Sequence, residues 1–394
     1  MDRITEEVKT LEQELIGLRR DFHSHPELAF EEKRTSAIVQ KYLKDIGLEV
    51  STIAQTGVVG LLRGGQQGKT VLLRADIDAL PIEEMNDCSY KSTNKGVMHA
   101  CGHDGHTAML LVAAKILARH KGELKGNVKF AFQPSEEQFP GGAVKMIEEG
   151  VLENPHVERA FGLHLGNFFP KGTIDIRKGV LMAEPDSFAI NIKGKGGHGA
   201  YPQLSIDPVL IASHTVIALQ SIVSREIDPL DSVVVTIGKM SSGDVFNVIP
   251  ETAHLEGTVR TLRKEVAQSM PTRMERIVTN VARAFGGEAT LDYDFGYPPV
   301  FNDPECTDFV KDIAGSVVGA ESVLEAPISM GGDDMAYFLD HVKGAYYFLG
   351  SMNEEKGLNK PNHSAYFDFD EDVLRLGVEM HVRIAMNALN EVLC

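Results

Sequence analysis

The stretch Thr70-Val-Leu-Leu-Arg-Ala-Asp-Ile-Asp-Ala-Leu-Pro81 limits the possible folds more than any other segment of this chain. Its first half is a continuous apolar run, the pattern of a strand covered on both faces. A largely parallel sheet flanked by helices provides that environment. Side chains of an extended chain alternate, so Arg74, Asp76 and Asp78 share one face near the strand's C-terminal end, where open α/β sheets bind their ligands. A salt-bridged strand end is the alternative.

The flanking segments agree with such a sheet. Val8, Leu11, Leu15, Leu18 and Phe22 recur at spacings of three and four and predict an opening amphipathic helix, and Ile38, Val39, Tyr42, Leu43 and Ile46 predict a second. Strands are predicted at 58–62, 127–132 and 159–165, with a glycine turn at Gly64-Gly and Gly68. Near residue 183 the rhythm changes. Strands at 186–193, 232–238, 253–260 and 288–295 and helices at 206–224 and 264–285 follow the order βαββαβ, the ferredoxin-like arrangement. Residues 184–296 are therefore expected to form a domain inserted between 1–183 and 297–394. The last part resumes the α/β pattern, with a helix near 304–317, a strand at 345–349 and a closing helix from Glu371 to about Leu389.

A chain of 394 residues is too long for one ordinary core. Its 39 basic and 56 acidic side chains leave a net charge of −17, which opposes nucleic acid and anionic membrane as partners. No apolar run approaches membrane-spanning length, the first eight residues lack signal-peptide character, and a cytoplasmic location is expected. The cysteines Cys88, Cys101, Cys306 and Cys394 have no framework spacing, which suits a reducing compartment and leaves Cys101 available as a ligand.

Chemistry concentrates in Met98-His-Ala-Cys-Gly-His-Asp-Gly-His-Thr107. Thiolate, imidazole and carboxylate are the groups that hold zinc or a neighbouring transition ion, although a capped loop feeding a core helix would also explain this stretch. In the adjacent carboxylates Glu136 and Glu137, one side chain can bind metal while the other faces a water. His23 and His25 could be ligands or polar loop residues, and His164 lies among apolar residues, where a core histidine is the ordinary explanation.

Taken together, Arg-Ala-Asp-Ile-Asp-Ala-Leu-Pro, Met-His-Ala-Cys-Gly-His-Asp-Gly-His, Gln-Pro-Ser-Glu-Glu, Gly-Leu-His, Gly-Gly-His-Gly-Ala-Tyr-Pro, Asn-Val-Ile-Pro and Gly-Thr-Val-Arg form an ordered set. The set resembles the dinuclear metallohydrolase family of aminoacylases, carboxypeptidase G and dipeptidases. Within that family it is similar to the branch of hippurate hydrolase, auxin-conjugate hydrolases and N-acetyldiaminopimelate deacetylase. The resemblance implies a metallopeptidase-like α/β catalytic domain with a mixed, largely parallel sheet, and a lid or dimerisation role for the inserted domain. It implies two divalent ions, Zn, Mn or Co, on Cys101, His103, Glu137, His164 and His363, with the Cys101 thiolate bridging. It also implies Glu136 as general base and Asp76 as its support through orientation of a metal ligand, with Asp104 and His106 outside the ligand set. His198, Asn247, Arg260 and the backbone at Gly332 would contact substrate, with His198 acting in its own or a partner subunit's site. The expected reaction is hydrolysis of N-acyl amino acids to carboxylate and amino acid. A dipeptidase or carboxypeptidase is the alternative within the family, and a non-catalytic scaffold the alternative outside it. A homodimer is expected, with tetramer and monomer left open. Two positions depart from the pattern: Ala365 stands where proline is common, and Gly331-Gly-Asp-Asp334 replaces Gly-(Ser/Gly)-Glu-Asp.

Overall fold

A computed structural model describes residues 3–390. Cys394 and Met1-Asp2, on which part of the cysteine and N-terminal expectations rest, lie outside the described residues. The chain divides into two compact units. The first comprises the chain up to Leu181, Val300–Pro327 and the chain from Asp333 onward; the second comprises Met182–Pro299 and Ile328–Gly332.

An eight-stranded mixed sheet forms the first unit, in the order Glu49–Ile53, Gly57–Arg63, Lys125–Gln133, Gln66–Asp76, Arg159–Pro170, Lys343–Met352, Ile174–Ile176, Val323–Glu325. The four central strands, from Lys125–Gln133 to Lys343–Met352, run parallel. Alternation gives the two faces of these strands different work. Val71, Leu73 and Ala75, with Val128, Phe130, Phe161, Leu163, Ala345 and Tyr347, enter one apolar core. The intervening Arg74, Asp76, Gln133, His164, Tyr346 and Phe348 therefore point the other way. The apolar core is closed by the His103–Arg119 helix, which is buried along nearly its whole length and packs against the helices Leu374–Asn390 and Glu12–Ser24. That helix is apolar on all sides because it is covered on all sides.

Two local expectations are corrected. The opening helix breaks at Leu11 into Arg3–Thr10 and Glu12–Ser24, yet Val8, Leu11, Leu15 and Phe22 all remain buried. Gly68 is not a turn residue: the turn is confined to Gly64-Gly65, and Gly68 falls within the Gln66–Asp76 strand, in a bulge between Gln66 and Lys69. Glycine suits a bulge because the neighbouring strand approaches it closely.

In the second unit, the antiparallel strands Val233–Ser241, Thr252–Thr261, Glu184–Lys193 and Glu288–Asp294 lie in that order. The helices Pro208–Ser221 and Lys264–Ala284 pack on this sheet, and the chain order of these elements is ferredoxin-like. Phe188, Ile190, Ile192, Leu255, Met270 and Met274 are part of its core. A two-residue ribbon that periodicity did not indicate pairs Gly197–His198 with Val248–Ile249.

One polar group in the first core carries a stability consequence. His381, on the Leu374–Asn390 helix, is buried with neither ring nitrogen hydrogen-bonded, and burial pulls its pKa down to about 3. The folded state thus excludes a proton that the unfolded chain accepts below about pH 6.5. Its contribution is complete at neutral pH and declines as pH falls from about 6.5 towards 3, by at most about 1.4 kcal/mol per pH unit. Thermal denaturation of His381→Leu between pH 7 and pH 5 is expected to show a smaller loss of stability than the parent. Parallel curves would be the contrary result.

Candidate metal centre

The Gln66–Asp76 strand ends in Asp76, and Asp78 follows two residues on; the parallel Lys125–Gln133 strand runs directly into Pro134-Ser-Glu136-Glu137. Between them comes the Cys101 stretch. Met98 exchanges backbone hydrogen bonds with Leu80, each 3.0 Å, and Gly102 turns the chain at φ +91° into the helix that begins with His103. His164 comes from the Arg159–Pro170 strand. His363 arrives from the far end of the chain on a loop pinned to the same place: its N–H donates to Ala100 O (2.7 Å), and Asn362 Nδ2 donates to the carbonyls of Cys101 (3.1 Å) and Leu165 (3.2 Å). His363 itself has φ +68°, a conformation L side chains rarely adopt, held here by those tethers.

Donor atoms of Cys101, His103 and His164 lie within 4.8 Å of one another, as do those of Cys101, Glu137 and His363, and those of His103, Glu136 and Glu137. Cys101 belongs to two of these groups. The hydrogen bonds around the histidines leave one nitrogen of each pointing inward. His103 Nδ1 donates to the Asp78 carbonyl (3.0 Å) and lies 3.2 Å from Asp78 Oδ1, while its buried Nε2 makes no hydrogen bond. His164 Nδ1 donates to Leu165 O (2.8 Å), which leaves Nε2 3.5 Å from Cys101 Sγ. Glu137 Oε1 sits 3.1 Å from His363 Nε2.

His106 and His23 have both ring nitrogens engaged by the protein. His106 donates from Nδ1 to Asp76 Oδ1 (2.6 Å) and accepts from Leu165 N–H at Nε2 (2.8 Å). His23 binds Asp104 Oδ2 (2.8 Å) and faces Glu84 (3.3 Å), and His25 Nδ1 donates to Asp21 O. His23 is thus held at both nitrogens at the end of its helix, and His25 belongs to none of the groups of converging donor atoms.

Asp76 was expected to orient a metal ligand. Its carboxylate is instead committed to Arg74 Nη1 (2.7 Å) and His106, with His103 Nε2 3.7 Å away. Asp78 is the carboxylate that reaches the candidate ligands: besides His103, it accepts from the backbone N–H of Glu137 through Oδ2 (3.0 Å). The shared face of Arg74, Asp76 and Asp78 was visible in the alternation, but not which carboxylate would face the ligands. Asp333, Asp334 and Tyr346 were not foreseen as partners of the site. Arg74, fully buried, donates to Gln133 Oε1 (2.8 Å) and Asp334 Oδ1 (2.8 Å) and lies 3.3 Å from Asp333; Tyr346 donates to Asp333 Oδ2 (2.6 Å). Asp334 and Asp333 also come within 4.8 Å of Glu136.

The electrostatics call for positive charge. Burial, followed by Glu137, Glu136 and Asp76, drives the Cys101 thiol well above its usual range. Burial together with Glu137, Asp333 and Asp334 does the same to Glu136. Burial opposes charge on His103, but Asp76 and Asp78 push it up to about 10. Burial keeps His164 neutral, the form that binds metal. A soft thiolate, two or three imidazoles and a carboxylate, with an unpartnered imidazole nitrogen aimed among them, fit a pair of divalent transition ions.

The expected substrate residues lie in the second unit. His198 Nδ1 accepts from Ala200 N–H (3.0 Å), so the neutral ring carries its proton on Nε2; Gly199 N–H bonds the Asn247 carbonyl (2.9 Å), which brings His198 and Asn247 together. Arg260 is half-buried, donates to Thr258 Oγ1 (3.2 Å) and Met330 O (3.4 Å), and forms no ion pair among the described residues. A Cβ on Gly332 would lie 2.5 Å from Pro185 Cγ, so the backbone there is open only to glycine. Ala365 takes part in the loop through its carbonyl, which accepts from Met85 N–H (2.9 Å).

Among the described residues no helix is long and apolar enough to cross a membrane. Residues 72–387 match the model of peptidase family M20/M25/M40. The chain is 41% identical over 395 aligned positions to thermostable carboxypeptidase 2 of Saccharolobus solfataricus, covering 99% of each chain. It is 38% identical to the N-acetylcysteine deacetylase of Bacillus subtilis, covering 98% of this chain and 99% of that one. The crystal structure of the Bacillus subtilis YXEP protein, a dinuclear metal-binding peptidase from the M20 family, superimposes with a TM-score of 0.84 at 34% identity, over 98% of this chain and 99% of that one. With these relatives and this family match, the chain belongs to peptidase family M20/M25/M40 and is a hydrolase.

Proposed function

We propose that this hydrolase cleaves the amide bond of N-acyl amino acids, such as N-acetyl or N-benzoyl derivatives, to a carboxylate and a free amino acid. The observation that carries this proposal is the convergence of Cys101, His103, Glu137, His164 and His363 beside a buried Glu136. Those five residues would hold two divalent ions, which when bound polarise an amide carbonyl and make a water more acidic. Glu136 takes the proton of the attacking water and returns it to the departing amine nitrogen. Its buried, carboxylate-rich surroundings raise its proton affinity, as a proton carrier requires. Asp78 holds His103 by Nδ1 and the Glu137 backbone by N–H, fixing two of the five ligands. His198, with its proton on Nε2, has the form needed to donate to a developing oxyanion. Arg260, which forms no ion pair within 4.0 Å among the described residues, offers a planar fork to the substrate carboxylate. A carboxypeptidase reading uses the same groups on a peptide bond, and is favoured by the named function of the Saccharolobus relative.

Glu136→Gln is expected to lose about a hundredfold or more in kcat with metal content nearly unchanged. Turnover on N-acetyl and N-benzoyl amino acids, alongside elemental analysis, measures both, and retained turnover would remove Glu136 from its role. For Cys101→Ala, elemental analysis should find less metal per chain, because the Sγ belongs to two of the donor groups; unchanged stoichiometry would contradict a bridging thiolate. Arg260→Leu should raise KM by roughly tenfold or more for substrates with a free carboxylate and leave their α-amide analogues unaffected. Equal effects on both would argue against carboxylate binding.

A further inference from the structure

We propose that Arg19 is a positioning residue of the metal centre, locking the helix that carries His103 and the loop that carries His363 into a single frame. The inference rests on the reading that His103 and His363 hold metal. Arg19 lies on the Glu12–Ser24 helix, remote in sequence from every ligand, and its side chain is fully buried. Each edge of its guanidinium addresses a different carboxylate. Nε donates to Asp104 Oδ2 (2.9 Å), Nη2 to Asp368 Oδ1 (2.8 Å) and Nη1 to Glu371 Oε1 (3.2 Å). Asp104 is the residue after His103, and Asp368 and Glu371 lie just beyond His363.

The plane of the guanidinium is held as firmly as its edges. Phe369 and Tyr90 lie with ring centroids 4.4 and 4.8 Å from Cζ, and the Tyr90 hydroxyl donates to the second oxygen of Asp368 (2.7 Å). His23, on the same helix as Arg19, binds Asp104 Oδ2 beside it. A planar fork with several fixed donors can serve three carboxylates at set angles; a lysine ammonium, a point charge on a flexible stem, cannot reproduce that geometry. The tethers of the Asn362 side chain and the His363 N–H anchor the near side of the loop, at Cys101, Leu165 and Ala100. Arg19 braces its far side against the first turn of the His103 helix.

The test uses the full-length protein stripped of metal and titrated with Co2+, followed by calorimetry and by the visible absorption of the bound ion. Arg19→Met and Arg19→Lys are both expected to weaken Co2+ binding by about 10- to 100-fold and to alter the absorption bands. Leu15→Ala, in the apolar face of the same helix, should lower Tm while leaving Co2+ affinity and spectrum unchanged, which separates loss of stability from loss of positioning. Asp368→Asn, which weakens only the loop end of the link, should change affinity and spectrum in the same direction as the Arg19 variants, and it decides the matter if the Arg19 variants do not fold. Wild-type affinity and spectrum in a folded Arg19 variant, or in Asp368→Asn, would overturn the proposal. Failure of the parent protein to bind Co2+ would instead overturn the metal-site reading on which it rests.

Discussion

Arg74 is buried with Asp76, Asp333 and Asp334 at the strand ends, and the site depends on this unequal charge balance. One guanidinium cannot neutralise three carboxylates. Burial pushes Asp334 up to about 7 despite Arg74 beside it, with Asp333 adding to the effect. Loss of the guanidinium would leave buried carboxylates unpaired, a defect of about 3 to 5 kcal/mol. Glu136 stands at the edge of this cluster, with the candidate ligands beyond it. The buried carboxylates of the strand ends thus reach the candidate ligands through Glu136, which lies within 4.8 Å of Asp333 and Asp334 on one side and of His103 and Glu137 on the other.

The sheet makes this possible by separating its faces. Val71, Leu73 and Ala75 seal the apolar core, so Arg74 and Asp76 must point to the other side, where register sets Gln133 beside Asp76 and Phe348 beside His164. A one-residue slip would exchange the two sets completely. Chemistry and stability are thus coupled through the pleat: strands carry Arg74, Asp76 and His164, the start of a helix carries His103, and loops bring in Asp78, Cys101, Glu136, Glu137 and His363.

Much of this was legible in the sequence because it depends on local periodicity. The apolar run before Arg74 specified a buried strand, and the βαββαβ order specified the second unit's fold. Other features were not legible. The bulge at Gly68 depends on the approach of a neighbouring strand, and the break at Leu11 leaves the apolar spacing intact. Nor does alternation reveal which of two carboxylates on one face bonds a candidate ligand; Asp78, not Asp76, does so because the strand ends at Asp76 and Asp78 comes against His103 and Glu137.

By itself the sequence determined the fold class, the family resemblance and the types of residue available for chemistry, since those follow from patterns that short segments carry. Only the tertiary structure decided which residues meet. His106 and His23 look no less like ligands than His103 does, yet both their nitrogens are taken by protein partners, whereas His103 and His164 each keep one inward. Arg19 carries no motif that marks it, and the Gly331-Gly-Asp-Asp334 turn does not show what Asp334 meets. Their importance comes from being buried next to charges contributed by segments hundreds of residues away, a property of packing that no local pattern encodes.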